Sequence, residues 1–176
     1  MATTQSSNSK SSSRSAAAKK AAATRAKDAI ALLKADHRKV EQLFKDFTKT
    51  ESVDKKQQIA MTICQELKVH MTLEEEIFYP TSREFLSDDD IVNEAVVEHQ
   101  AAKDLMAQIQ GMDPSDEMFE ARMQVLQEQI EHHVEEEETE YFPKVEKTDM
   151  DTKAVGEQMI ARKEQLTAGR DGKSFE

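Results

Sequence analysis

Four of the five histidines in this chain fall into one repeated arrangement: His37 alone, His70 with Glu74, His99 alone, and His133 with Glu137. His-x-x-x-Glu sets an imidazole and a carboxylate one turn apart on one helix face, with Cβ atoms about 6 Å apart, so both can aim at one interior point. Two such helices, each beside a helix carrying one histidine, would bring four imidazoles and two carboxylates together. Inward-facing carboxylates repel each other and take up protons unless cations lie between them. A metal centre is the economical reading. Mixed imidazole and carboxylate donors suit iron, manganese or zinc, and carboxylate-bridged ion pairs about 3.5 to 4 Å apart are one known use of such a set. One histidine on an apolar stripe is ordinarily a hydrogen-bonded core residue, but four on four stripes each need a partner.

The segments that must position these residues have helical periodicity. From Asp28 to about Lys49 the apolar stripe is Ile30, Leu33, His37, Val40, Phe44 and Phe47. Ser52 and Asp54 can open a second helix with Ile59, Ile63, Leu67, His70, Glu74 and Phe78 on its inner face, stopping at Pro80. Ser87 before Asp88, Asp89 and Asp90 signals a third start, and Ile91, Ala95, His99, Ala102, Met106 and Ile109 carry it to Gly111. Asp113 as cap and Pro114 at the first position predict a fourth helix to Pro143, with Phe119, Met123, Leu126, Ile130, His133, Glu137 and Tyr141 facing inward. A shorter fifth helix, roughly Asp151 to Leu166, is expected to pack outside the bundle on Val155, Met159 and Ile160. The expected fold is therefore all-α: an antiparallel up-down-up-down four-helix bundle with an extra C-terminal helix and a disordered N-terminal tail. Its divisions fall at 1–27 for the tail, 28–147 for the bundle, and 148–176 for the last helix and a frayed end.

The two halves superpose with a shift of 62 to 63 residues. Asp36-His37 aligns with Glu98-His99, Leu43 with Leu105, Ile63 with Leu126, and Phe78-Tyr79-Pro80 with Tyr141-Phe142-Pro143, as in a duplicated helix hairpin. By the same register Glu75, Glu76, Glu135, Glu136 and Glu138 lie off the stripe and read as solvated helix surface, as do Asp36 and Glu98. His132 pairs with Glu136 just as His133 pairs with Glu137, yet the alignment and the apolar register select His133. Tyr79 and Tyr141 read as packing at the bundle end, with a hydroxyl in reach of the site's outer shell.

With 4 glycines, 3 prolines and no tryptophan in 176 residues, the composition favours helix and fits one domain plus tails. The net charge of −11 is unevenly spread: residues 1–27 hold six basic and no acidic side chains, leaving 18 basic against 35 acidic, or −17, for the rest. That acidic body argues against a specific nucleic-acid ligand, although the basic arm could make weak polyanion contacts. The lone Cys64 excludes an internal disulfide, and no apolar run is long enough to span a bilayer. A cytoplasmic monomer without membrane attachment is expected.

In the order His, His-x-x-x-Glu, His, His-x-x-x-Glu, with "DHRKVEQLF", "HMTLEEEIFYP", "EHQAAKDLM" and "HHVEEEETEYFPKV", the chain resembles the hemerythrin family in its bacterial HHE cation-binding branch. The resemblance covers about Asp28 to Lys144. It implies a non-haem di-iron centre with His37, His70, Glu74, His99, His133 and Glu137 as ligands. The two iron ions would be bridged by the glutamates and an oxo or hydroxo group, with manganese or zinc as secondary candidates. It further implies a small ligand, namely dioxygen, peroxide or nitric oxide, and a role as sensor, scavenger or oxygen- or iron-handling protein. An alternative is a non-catalytic iron-binding or iron-sensing module read by a protein partner. Respiratory members of the family carry a further histidine where this chain has Lys103. The ferritin-like pattern, Glu-x-x-His on two helices with lone glutamates on the others, does not fit: here the order is reversed and the spacing is four.

Overall fold

Helices begin where a short polar side chain takes over a free backbone N–H. In the computed structural model, which describes residues 28–87 and 90–168, Asp28 caps α1 (Ala29–Lys49) by accepting from the Ala31 N–H. Ser52 caps α2 (Val53–Leu73) through Lys55, and Asp151 caps α5 (Thr152–Thr167) through Lys153 and Ala154. α3 spans Asp90–Gln110. The acids Asp88 and Asp89, the N-terminal arm and the last eight residues lie outside the described residues.

α4 (Glu117–Glu136) starts three residues later than its sequence signals suggest, with Asp116 as its cap through Met118. Asp113 is occupied elsewhere: its Oδ1 accepts from the Ser115 backbone N–H at 2.8 Å and from the Ser115 hydroxyl at 2.6 Å. This is an Asx-type turn, which competes with helix initiation at the same residue.

Neither Pro80 nor Pro143 ends its helix. α2 passes through one π-helical turn, Glu74–Phe78, into a further α-helical segment, Tyr79–Arg83. α4 does the same through Glu137–Tyr141 into Phe142–Val145. The Tyr79 N–H bonds the Glu74 carbonyl and the Phe142 N–H bonds the Glu137 carbonyl, each reaching back five residues. The wider turn puts each proline in the first turn of a new segment, where its missing N–H costs little. In both halves the π turn begins on the glutamate of His-x-x-x-Glu.

The core is built in two blocks. One holds Leu33, Leu73, Phe78, Tyr79, Tyr141, Phe142 and Val145, and the other Phe44, Phe47, Ile63, Leu67, Phe119, Met123 and Leu126. Along α1 the stripe passes from Leu33 in the first block through His37 to Val40 in the second, and along α3 from Ala95 through His99 to Ala102. The histidines thus form a polar layer between two apolar ones. Cys64 is buried in the second block, and burial pushes its thiol up to about 11. α5 buries Val155 and Met159 in the first block, so the fifth helix belongs to the core around the site. Among the described residues no helix is long and apolar enough to cross a membrane.

Candidate metal centre

His37, His70, Glu74, His99, His133 and Glu137 come from four helices and are all buried, none more than 5% exposed. The imidazoles pair by hairpin: Nε2 of His37 lies 3.2 Å from Nε2 of His70, and Nε2 of His99 lies 3.1 Å from Nε2 of His133. Each glutamate joins the pairs. Oε2 of Glu74 is 3.2 Å from His70 Nε2 and 3.3 Å from His99 Nε2. Oε2 of Glu137 is 3.2 Å from His37 Nε2 and 3.7 Å from His133 Nε2. The result is two overlapping donor groups, one of His37, His70, Glu74 and Glu137 and one of Glu74, His99 and His133, each with its atoms within 4.8 Å of one another.

The donor chemistry fits a cation. Both oxygens of Glu74, Oε2 of Glu137 and Nδ1 of His70 are buried without a hydrogen bond, a costly arrangement for a protein interior unless charge is supplied. Burial works against charge on Glu74, but the imidazoles of His70 and His99 outweigh it and hold this carboxyl well below its usual range. Burial likewise disfavours charge on both imidazoles, and Glu74 overcomes it, raising His70 to about 10 and His99 to about 9.

The outward nitrogens are held by a second set of carboxylates that the apolar register assigned to the surface. His37 Nδ1 lies 2.8 Å from Glu138 Oε1, His99 Nδ1 2.9 Å from Glu75 Oε1, and His133 Nδ1 2.7 Å from Glu98 Oε2. Asp36 approaches His70 Nδ1 only to 3.9 Å. Glu75, Glu138, Glu98 and Asp36 are therefore partly buried groups at helix seams rather than solvated surface. The duplication held the signal: one acid precedes each lone histidine, and one follows each motif glutamate. Donation from Nδ1 to a carboxylate fixes ring orientation and tautomer and turns the Nε2 lone pair inward.

Three of the outer carboxylates have a Lys or Arg beyond them, and the fourth has His132. Lys103 Nζ sits 2.6 Å from both oxygens of Glu75, and Arg38 pairs with Glu138. Lys163 of α5 lies 2.5 and 2.6 Å from the two oxygens of Asp36, and His132 is 3.7 Å from Glu98 and 3.4 Å from Glu136. Lys103 thus stands outside the centre, braced on the carboxylate that orients His99. The side chain of His132 is 63% exposed and is no part of the buried set. Glu76, expected at the surface, is exposed and pairs with Arg162 at 2.7 Å. Tyr79 does more than pack: its hydroxyl donates to Glu137 Oε1 at 3.1 Å and lies 3.3 Å from His99 Nε2. Burial and the nearby Glu74 and Glu137 push that phenol well above its usual range, so it stays a donor. The Tyr141 hydroxyl instead meets Ser82 Oγ at 2.5 Å. Glu98→Gln is expected to weaken metal binding about 10- to 100-fold, with His132→Ala nearly silent; chelator competition on the two variants checks the contrast.

Residues 28–145 match the Hemerythrin HHE cation binding domain. A DNA nickase of Nostoc sp. is 32% identical over 111 residues, which is 63% of this chain and 31% of that protein. An uncharacterized hemerythrin-like protein of Schizosaccharomyces pombe is 27% identical over 126 residues, 70% of this chain and 61% of that protein. The chain thus spans less than two thirds of the length of either relative. Among solved structures, a hemerythrin HHE cation binding domain-containing protein of Mycobacterium kansasii superposes with a TM-score of 0.68, covering 79% of this chain and 86% of that one at 24% identity, a likeness of fold. Given a domain match that runs from the cap of α1 to the end of the second π-interrupted helix, the chain belongs to the hemerythrin family of HHE cation-binding domains.

Proposed function

We propose that this chain is a non-haem di-iron protein that binds or reacts with a small molecule such as dioxygen, peroxide or nitric oxide. The observation that carries the reading is the buried set of four imidazoles and two carboxylates, in which both oxygens of Glu74 and Oε2 of Glu137 lack hydrogen bonds. His37 and His70 would hold one ion and His99 and His133 the other, with Glu74 and Glu137 bridging, since each glutamate faces one imidazole of each pair. When bound, such a pair supplies redox chemistry and open coordination positions.

The chain's own residues set what reaches the site. Beside the imidazoles lies an apolar pocket of about 10 Å³, with Val40, Leu67, Met71, Ile130 and Val134 among its walls. That volume is on the order of one water-sized molecule, which favours a ligand of very few atoms over a larger substrate. A groove of about 460 Å³ between α1 and α4 shares His37, Val40, Ile130 and Val134 with this pocket and offers a way in. Glu75, Glu98 and Glu138 hold a proton at the outer nitrogen of their histidines, and the Tyr79 hydroxyl keeps a proton on the edge of Glu137. DNA cleavage by analogy with the Nostoc relative has little support here: the donor set is buried, and a body of charge −17 repels a polyanion.

The test is anaerobic loading with ferrous iron, followed by optical spectra on adding peroxide, nitric oxide or azide. At least one of them is expected to change the charge-transfer absorption. Two bound ions with no response to any of the three would contradict an open site and favour the non-catalytic iron-sensing module.

A further inference from the structure

The duplication makes the two halves of the site near-equivalent, and among the outer carboxylates one contact departs from that equivalence. In the second half Glu98 accepts from His133 at 2.7 Å, while its outer neighbour, the His132 imidazole, stands off at 3.7 Å. In the first half the order is inverted. Asp36 stands 3.9 Å from His70, whose Nδ1 has no hydrogen bond, and both its oxygens are taken by Lys163 at 2.5 and 2.6 Å. Lys163 lies on α5, which has no counterpart in the duplicated hairpins and lies beyond the matched domain of residues 28–145. Contacts on both sides hold this helix in place. The neighbouring Arg162 grips Glu76 on the π turn of α2 at 2.7 and 3.0 Å, and Val155 and Met159 anchor the same helix in the core.

We infer that Lys163 is a positioning residue that makes the two metal positions unequal, leaving the His37/His70 position the more weakly held and more readily exchanged. This rests on the di-metal reading above. Two effects act in the same direction. By holding Asp36, Lys163 denies His70 the outer carboxylate that locks the ring and raises its strength as a ligand. It also places a positive charge close to a site meant for a cation. Binding at that position and the Lys163–Asp36 contact therefore oppose each other, and linkage makes the opposition reciprocal: an ion at His70 loosens the grip of α5, and a docked α5 loosens the ion.

The experiment is anaerobic titration of the metal-free full chain with ferrous iron against a competing chelator, for wild type, Lys163→Met, Asp36→Asn and His70→Ala. Wild type is expected to take two ions with affinities at least about tenfold apart, and His70→Ala to lose the weaker one. Lys163→Met is expected to tighten the weaker position about tenfold and leave the other unchanged, whereas Asp36→Asn weakens it. A gain in affinity cannot arise from a damaged fold, so the sign separates positioning from mere support. Equal affinities in wild type, or a Lys163→Met variant that binds no tighter, would overturn the inference. Fewer than two ions in wild type would instead contradict the di-metal reading beneath it.

Discussion

Glu74→Ala is expected to strip the chain of both ions at chelator concentrations at which wild type keeps two. Oε2 of Glu74 lies 3.2 Å from His70 Nε2 and 3.3 Å from His99 Nε2, so this side chain is the one donor common to both groups. Its loss removes a charge that both ions would share and leaves Glu137 as the one inner carboxylate. Replacing an outer carboxylate typically costs 10- to 100-fold, so removal of the shared inner one is expected to exceed about 100-fold. Glu137→Ala is expected to spare the His99/His133 position more, because its Oε2 is 3.7 Å from His133 and 3.2 Å from His37. Metal analysis by mass spectrometry after graded chelator treatment reads both. Glu74→Ala protein that retains two ions would contradict the bridging assignment.

Removing the metal is expected to cost the second largest effect, a drop in melting temperature. The polar layer lies between two apolar blocks, and three of its four carboxylate oxygens lack hydrogen bonds. Each ion that binds the folded chain alone stabilises it by about 4 kcal/mol at a thousandfold excess over its dissociation constant. For a domain of this size one such ion corresponds to roughly 10–15 °C. Calorimetry of the loaded protein and of protein dialysed against chelator gives the difference. An unchanged melting temperature would mean that the imidazole layer is satisfied by protons alone.

Much of this was written in the chain because burial leaves a period. The six inner donors sit on the same i, i+3, i+4 stripes as Leu33, Leu67, Met106 and Ile130, and they recur in the second half at a shift of 62 to 63 residues. Residues one step away from those stripes were not legible in that way. Glu75 and Glu138 follow an inner glutamate, about 100° further round the helix, which periodicity alone assigns to solvent; the neighbouring helix makes that direction a seam. The π turns were hidden for a related reason. Pro80 and Pro143 are read as stops, and only the re-registered hydrogen bonds from Tyr79 and Phe142 show how a helix passes them. Asp113 and Pro114 look like a helix start, but the Ser115 contacts decide for a turn. The part played by α5 was least visible, since pairing Lys163 with Asp36 joins residues 127 apart and no local pattern encodes it.

The most direct test of the central claim is the position of bound metal. Anomalous diffraction from crystals of the iron-loaded chain should place two ions per chain inside the bundle, one among His37, His70, Glu74 and Glu137 and one among Glu74, His99 and His133. Ions found only at exposed carboxylates such as Glu98 and Glu136, or none within the bundle, would contradict it.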